Sequence, residues 1–304
     1  MTRNISEAFT LLLAPIIIIT SSFTIVVILR TKSLRECASN TPSIIFAFGS
    51  VAIATGVIFR SVTTFVHPPV RPQMYHSFIC LIFATPTIFG QHMSQTSILL
   101  LAIQRLICVK FPVSYRSMIS KKSATLMFTS SLLFSVVGTA CMYICASFDE
   151  YTSSLSASAL WSPAYKIYWN GFQVVMPSFI CSLYFCTIFI SKLGTAQSQQ
   201  TYHSLTMTLS TFLTAYVVLW FIPAMFNLGT RVVPMPTNLI HLLRSFSYQC
   251  MNFYSLISFI FLLWKHKEFR TTAITMLSLQ KSTFGPMRII PHTNAALFCF
   301  DRSS

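Results

Sequence analysis

Acidic side chains are nearly missing from this chain. Six stand among 304 residues, Glu7, Glu36, Asp149, Glu150, Glu268 and Asp301, and none falls deep inside an apolar segment. That scarcity removes the paired carboxylates of general acid–base and metal-assisted hydrolysis. No His-Glu-x-x-His or nucleophile motif takes their place, so an enzyme is not expected. It also removes the intramembrane acids on which proton- and sodium-coupled carriers depend, and no internal repeat betrays two similar halves. A multi-span transporter or channel for a small solute is therefore the alternative reading, not the first. The nine cysteines are scattered, mostly within apolar segments, without the paired spacing of a zinc site or a small disulfide framework. No metal and no cofactor is expected.

What the chain does have is apolar surface. It is 54% hydrophobic and 9% charged, with 28 Phe and a mean hydropathy of +0.65, which places it in a lipid bilayer. The net charge of +15 is spread between apolar blocks instead of forming one patch, so lipid headgroups and not nucleic acid are its counterpart. Seven apolar segments approach the roughly 20 residues that cross an ~30 Å hydrocarbon slab. They run at about 8–29, 43–66, 77–109, 124–146, 167–190, 205–228 and 239–264. Each is a continuous run and not a ~10-residue alternation, so the spans are helices and the fold an all-α, seven-helix membrane bundle. The connections are short and rich in turn formers, as in HPPVRP (67–72) and VVPMPTN (232–238), which leaves one domain over 1–280 and a loosely ordered tail over 281–304.

Charge sets the orientation. With the basic residues assigned alternately to the two sides, 15 of the 21 fall on the side of Arg30, Arg105 and Lys265 and six on the side of Arg60 and Arg244. The positive-inside rule then puts the amino terminus outside and the tail in the cytoplasm of a multi-pass plasma-membrane protein. Asn4-Ile5-Ser6 is a glycosylation sequon, usable only if that end is lumenal.

The third segment ends in LLLAIQRLICVKFPVSYR (99–116), where Arg105 stands at the foot of an apolar helix with no acid beside it in the sequence. On chemistry alone it is a snorkelling cation. Its spacing says more: Cys80 opens the same helix 25 residues earlier and Pro112 follows seven residues later. These intervals resemble the rhodopsin-like G-protein-coupled receptors, whose third helix carries an outer cysteine, an Asp-Arg-Tyr foot and a loop proline. SFIFLLWKHKEFR (258–270) resembles the family's Asn-Pro-x-x-Tyr segment and the amphipathic helix after it, with Phe269 as apolar anchor. WFIP (220–223) is similar to its Trp-x-Pro kink, with Phe221 at the aromatic switch position and Trp220 one residue off the pattern. Pro177 suits the kink of the fifth helix.

The departures narrow the resemblance. Gln104 and Leu106 flank Arg105 in place of the acid and tyrosine, Ser50 replaces the sodium-binding acid of the second helix, and Ser258 and Phe259 replace Asn-Pro in the seventh. Asn252 stands where a retinal pigment would carry its lysine. The loop over 147–166 has no cysteine to meet Cys80, and Cys145 is the nearest candidate; otherwise Cys80 is free. A retained scaffold with altered switches most resembles the nematode serpentine chemoreceptors. The resemblance implies a receptor that activates a heterotrimeric G protein, with Arg105 and Pro112 at the coupling face. The short outer loops and the short stretch before the first span offer little surface to a large peptide, so a small molecule entering the outer half of the bundle is expected.

For the ligand, Thr87, Gln91 and Ser94 form a polar stripe on the third helix, flanked by His92 and Gln95. Such groups either line a pocket or join neighbouring helices; His92 reads as a packed histidine, not a metal ligand. Thr87 occupies the position of the aspartate in amine receptors, which argues against an amine. Arg244, Tyr248 and Asn252 share one face of the seventh helix. The family's architecture would bring Arg60 of the second helix beside them, so Arg60, Thr87, Gln91, Phe221, Arg244, Tyr248 and Asn252 are the expected ligand residues. The two arginines either snorkel to headgroups or hold an anionic ligand.

Overall fold

The computed structural model describes residues 2–36, 38–66, 75–112, 114–115, 120–144, 146, 151–152, 160–193, 210–233 and 235–279. Among them are seven helices long and apolar enough to cross a membrane. They are α1 (Thr2–Arg30), α2 (Thr41–Val66), α3 (Ser77–Lys110), α4 (Lys121–Ala140), α5 (Pro163–Leu193), α6 (Ser210–Thr230) and α7 (Thr237–Lys265), followed by α8 (Lys267–Leu279). The end of the bundle that carries the start of α3 is called upper here, and the end that carries Arg105 and α8 lower. The tail over 281–304, Cys145, Asp149 and Glu150 lie outside the described residues.

The helices present many large apolar side chains outward: Leu12, Leu126, Val175, Phe185 and Phe189 are 62–70% exposed. In water that pattern would aggregate; in a bilayer it is the solvated face. Lipid is as apolar as leucine, so burial of apolar surface alone cannot draw these helices together, and small and polar residues must do so. Serine and threonine hydroxyls are carried in the spans by bonding the carbonyl four residues back, as Thr24 does to Thr20 at 2.9 Å, Thr55 to Val51 at 2.8 Å and Thr187 to Leu183 at 2.7 Å. Others tie helix to helix. Ser50 of α2 donates to Ser255 of α7 at 3.2 Å, Gln249 of α7 donates to Thr10 of α1, and Tyr216 of α6 donates to Gln95 of α3 at 2.8 Å.

The closest approach is that of α2 to α3. A Cβ added at Gly49 would stand 2.8 Å from the Gly90 carbonyl oxygen, one at Gly56 2.8 Å from the Thr87 nitrogen, and one at Gly90 2.7 Å from the Ile53 side chain. Glycine is thus required on both sides of one seam, and through it the backbone of α2 fixes the position of α3.

Three features depart from what the sequence suggests. The fourth span is shorter than 124–146: Ser120 caps α4 by accepting from the Ser123 amide at 3.2 Å, the α-helix stops at Ala140, and tighter turns with i→i+3 bonds carry the chain to Ile144. In α6, Val217–Phe221 is a π-helical turn running into the helix Ile222–Val232. A π turn takes up one residue more than an α turn, which absorbs the extra residue between Trp220 and Pro223. As a result Trp220, 1% exposed, packs against Tyr216 and Tyr254 in the core, while Phe221 is half-buried at its margin. In α8, Phe269 does not face outward as an anchor: it is 1% exposed and packs with Val27, Ile28, Leu34 and Ala273, and Ile274 and Leu277 supply the exposed apolar face instead.

The glycine seam yields a stability prediction. Gly90→Leu should lower the thermal midpoint of the purified protein by an amount equivalent to about 1–3 kcal/mol, since neither helix can yield. Gly171→Ala, where an added Cβ meets nothing within 4 Å, should leave it unchanged or raised. Equal tolerance of the two substitutions in a fluorescence-detected melt would contradict the seam.

Candidate functional site

The upper half of the bundle contains a cavity of about 200 Å³. The seam places its first wall: Gly56 of α2 lies against Thr87 of α3, and Arg60, one turn above Gly56, comes to the rim with its guanidinium carbon 5.5 Å from the centroid of the Tyr248 ring. Gln91 sits one turn below Thr87 and accepts from the Gln173 amide of α5 at 3.1 Å. Arg244 of α7, one turn above Tyr248, donates from Nε to the Thr230 hydroxyl of α6 at 3.3 Å. Trp161 and Trp169 supply an aromatic wall, and Asn227, Ser247 and Met251 complete the α6 and α7 side.

Five of the seven residues expected to meet a ligand therefore stand around one cavity: Arg60, Thr87, Gln91, Arg244 and Tyr248. Phe221 and Asn252 do not line it. The π turn rotates Phe221 to the margin of the core, and Asn252 lies one turn deeper than Tyr248, 4% exposed, where the bundle is closed. Ser94, the third member of the polar stripe, is fully buried against Gly49. Sequence reading missed Gln173, Trp161 and Trp169. Gln173 carries a usable signal, because a lone amide inside an apolar helix needs a partner and the polar stripe of α3 offers Gln91.

Both arginines stand exposed at the mouth, and no acid is among the described residues that line the cavity. Its polar groups are thus dominated by donors at the rim and by an amide pair further in, beside the aromatic wall.

His92 has a different task. It is fully buried, its Nδ1 lies 2.9 Å from the Ile88 carbonyl and its Nε2 2.9 Å from the Tyr168 hydroxyl. Its ring stacks on Phe172 at 4.5 Å between centroids. The space comes from Gly138 of α4, where an added Cβ would stand 2.5 Å from His92 Nε2. His92 is therefore a packing residue, and no cluster of metal-ligating side chains occurs among the described residues.

At the lower end Arg105 is half-buried at the foot of α3, and its charge reaches Tyr184 of α5 and Cys108. Gln104 turns to Met127 of α4, its amide 3.1 Å from the sulfur, and Pro112 is exposed just past the end of α3. Asn4 lies on the helical backbone near the start of α1.

With this geometry established, the chain matches the sequence profile of the family described as serpentine type 7TM GPCR chemoreceptor Srsx over residues 14–277. No curated protein matches it.

The upper loops are joined by backbone instead of by sulfur. Tyr75–His76, leading into α3, pairs antiparallel with Tyr151–Thr152, in register Tyr75 to Thr152 and His76 to Tyr151. Cys80, 1% exposed, is a free thiol. Alkylation under denaturing, non-reducing conditions followed by peptide mass mapping should recover Cys80 as the alkylated peptide. Recovery of a peptide cross-linked to Cys145 would show that the loop is held covalently.

Proposed function

This chain belongs to the serpentine 7TM GPCR chemoreceptors, and from that premise we propose that it binds a small molecule in the upper cavity, facing the cell exterior, and activates a heterotrimeric G protein at the lower end, in the cytoplasm. The excess of lysine and arginine around the lower ends supports that orientation at the plasma membrane. The domain that does this would span 1–280, with 281–304 as a cytoplasmic tail.

One observation carries the proposal: Met251 lines the cavity and also belongs to the buried cluster of Tyr216, Trp220, Tyr254, Tyr184 and Ala102 that fills the lower half. A ligand pressing on Met251 therefore presses on the rings around the π turn of α6. That turn and Pro223 behind it are where α6 is least regular, and a helix bends at such places. Tyr184 in turn lies within reach of the Arg105 charge. Ligand entry would tilt the lower part of α6, open the lower end, and expose Arg105 to the G protein, with exposed Pro112 as a second contact. The coupling needs a two-arrangement element, and this reading assigns that part to the π turn of α6.

Arg105 would act on the partner and not on the fold. Arg105→Ala should reach the cell surface at the parent's level, while nucleotide exchange on reconstituted G protein, driven by an agonist found by screening small acids and volatiles, falls about tenfold or more. Undiminished exchange by this variant would return Arg105 to the role of a snorkelling cation.

A further inference from the structure

The chemistry of the cavity narrows what can occupy it, an inference that rests on the upper cavity being the ligand site. Arg60 of α2 and Arg244 of α7 reach the same mouth. Arg60 lies against the ring of Tyr248, and Tyr248 is one turn below Arg244 on α7, so both cations border one space near the same ring. Arg244 engages Thr230 through Nε alone among the bonds the structure records, which leaves the two terminal nitrogens of its planar fork for a partner. Two cations at one mouth make it a favourable place for an anion, and an oxyanion there accepts from the terminal nitrogens of Arg244 beside the charge of Arg60.

The rest of the space sets the other end of the ligand. Trp161 and Trp169 are 7% and 6% exposed, with ring centroids 5.5 Å apart, and both border the cavity. They belong to the segment entering α5 and to α5 itself, whereas the arginines come from α2 and α7. The Gln91–Gln173 pair also borders the space; its one recorded bond leaves the Gln91 amide and the Gln173 oxygen as neutral polar groups, which hold no charge to match a second ionised group on the ligand. A ligand that is polar throughout would leave the tryptophan wall unmatched; a purely apolar one would leave the terminal nitrogens of Arg244 unmatched. We infer that the cavity takes a small amphiphilic oxyanion, its carboxylate or phosphate seated between Arg60 and Arg244 and its flat apolar body against Trp161 and Trp169.

The experiment uses the full-length receptor in neutral maltoside detergent, so that anionic lipid headgroups are absent unless added. Four probes of one ring system are compared by thermal shift: 2-naphthoate, 2-naphthyl phosphate, 2-naphthamide and 2-naphthylmethylamine. The two anions should stabilise the protein at concentrations about 10- to 100-fold below any effect of the amide, and the amine should do nothing. Arg244→Met should remove that advantage by the same factor, and Arg244→Lys should restore part of it, with size-exclusion profiles showing that both variants remain folded. The carboxylate and phosphate arms separate the two anion chemistries. Dioleoylphosphatidylglycerol, added in a further arm, should not reproduce the shift; if it does so while both naphthyl anions fail, the arginines serve the membrane surface and the inference is wrong. It is equally wrong if the amide matches the acids, if the amine binds better, or if no anion binds. Exchange on reconstituted G protein, measured in parallel, keeps the two readings apart. Stimulation by the amine alone would retain the receptor and sink the anion site, whereas anion binding that depends on Arg244 without exchange by any probe would retain the site and count against the coupling.

Discussion

Everything in this bundle depends on how closely α2 can approach α3. Because lipid gives helices no apolar reason to associate, their separation is decided by what lies between them, and at this seam almost nothing does. Gly49, Gly56 and Gly90 bring two backbones into direct contact. The approach holds α3 on the axis of the bundle, and α3 then distributes the polar contacts: Gln91 to α5, Gln95 to α6, His92 to α5 and α4, Gln104 to α4. The same seam sets Thr87 beside α2 and so shapes the wall of the cavity. The tilt of α6 proposed above would therefore take place beside one helix pair whose spacing is set by glycine.

The seven spans were legible because a bilayer imposes a length and forbids unsatisfied backbone, and both constraints show directly in a string of residues. Ends were less so. The apolar pattern carries the fourth span six residues past the end of α4 because Cys141–Ile144 is as apolar as the helix before it, and composition does not distinguish an α turn from the tighter turns that follow. The cavity was half legible. Arg60, Thr87, Gln91, Arg244 and Tyr248 announced themselves as polar groups in apolar helices at spacings that share a face. Trp161 and Trp169 did not, since an aromatic residue near a membrane surface has many reasons to be there.

Phe221 and Trp220 show where reading by register fails. Counting from Pro223 assigns the inward position to Phe221, yet the inward ring is Trp220, because Val217–Phe221 winds as a π turn. No local residue preference marks such a turn; it is selected by the large rings of Tyr216, Trp220 and Tyr254 finding places in one core. Phe269 fails for a related reason. Its amphipathic period was read correctly, but which side of α8 meets the bundle depends on Val27, Ile28 and Leu34, far away in the chain.

Gly138 and His92 belong to different helices, yet they divide a single volume between them: the imidazole fills what the missing side chain leaves. Neither can be exchanged alone without either a collision or a void beside Tyr168 and Phe172. In descent the two positions are therefore one heritable character. Across related chains the bulk at one should rise where the bulk at the other falls, and a histidine at the first should travel with a glycine at the second.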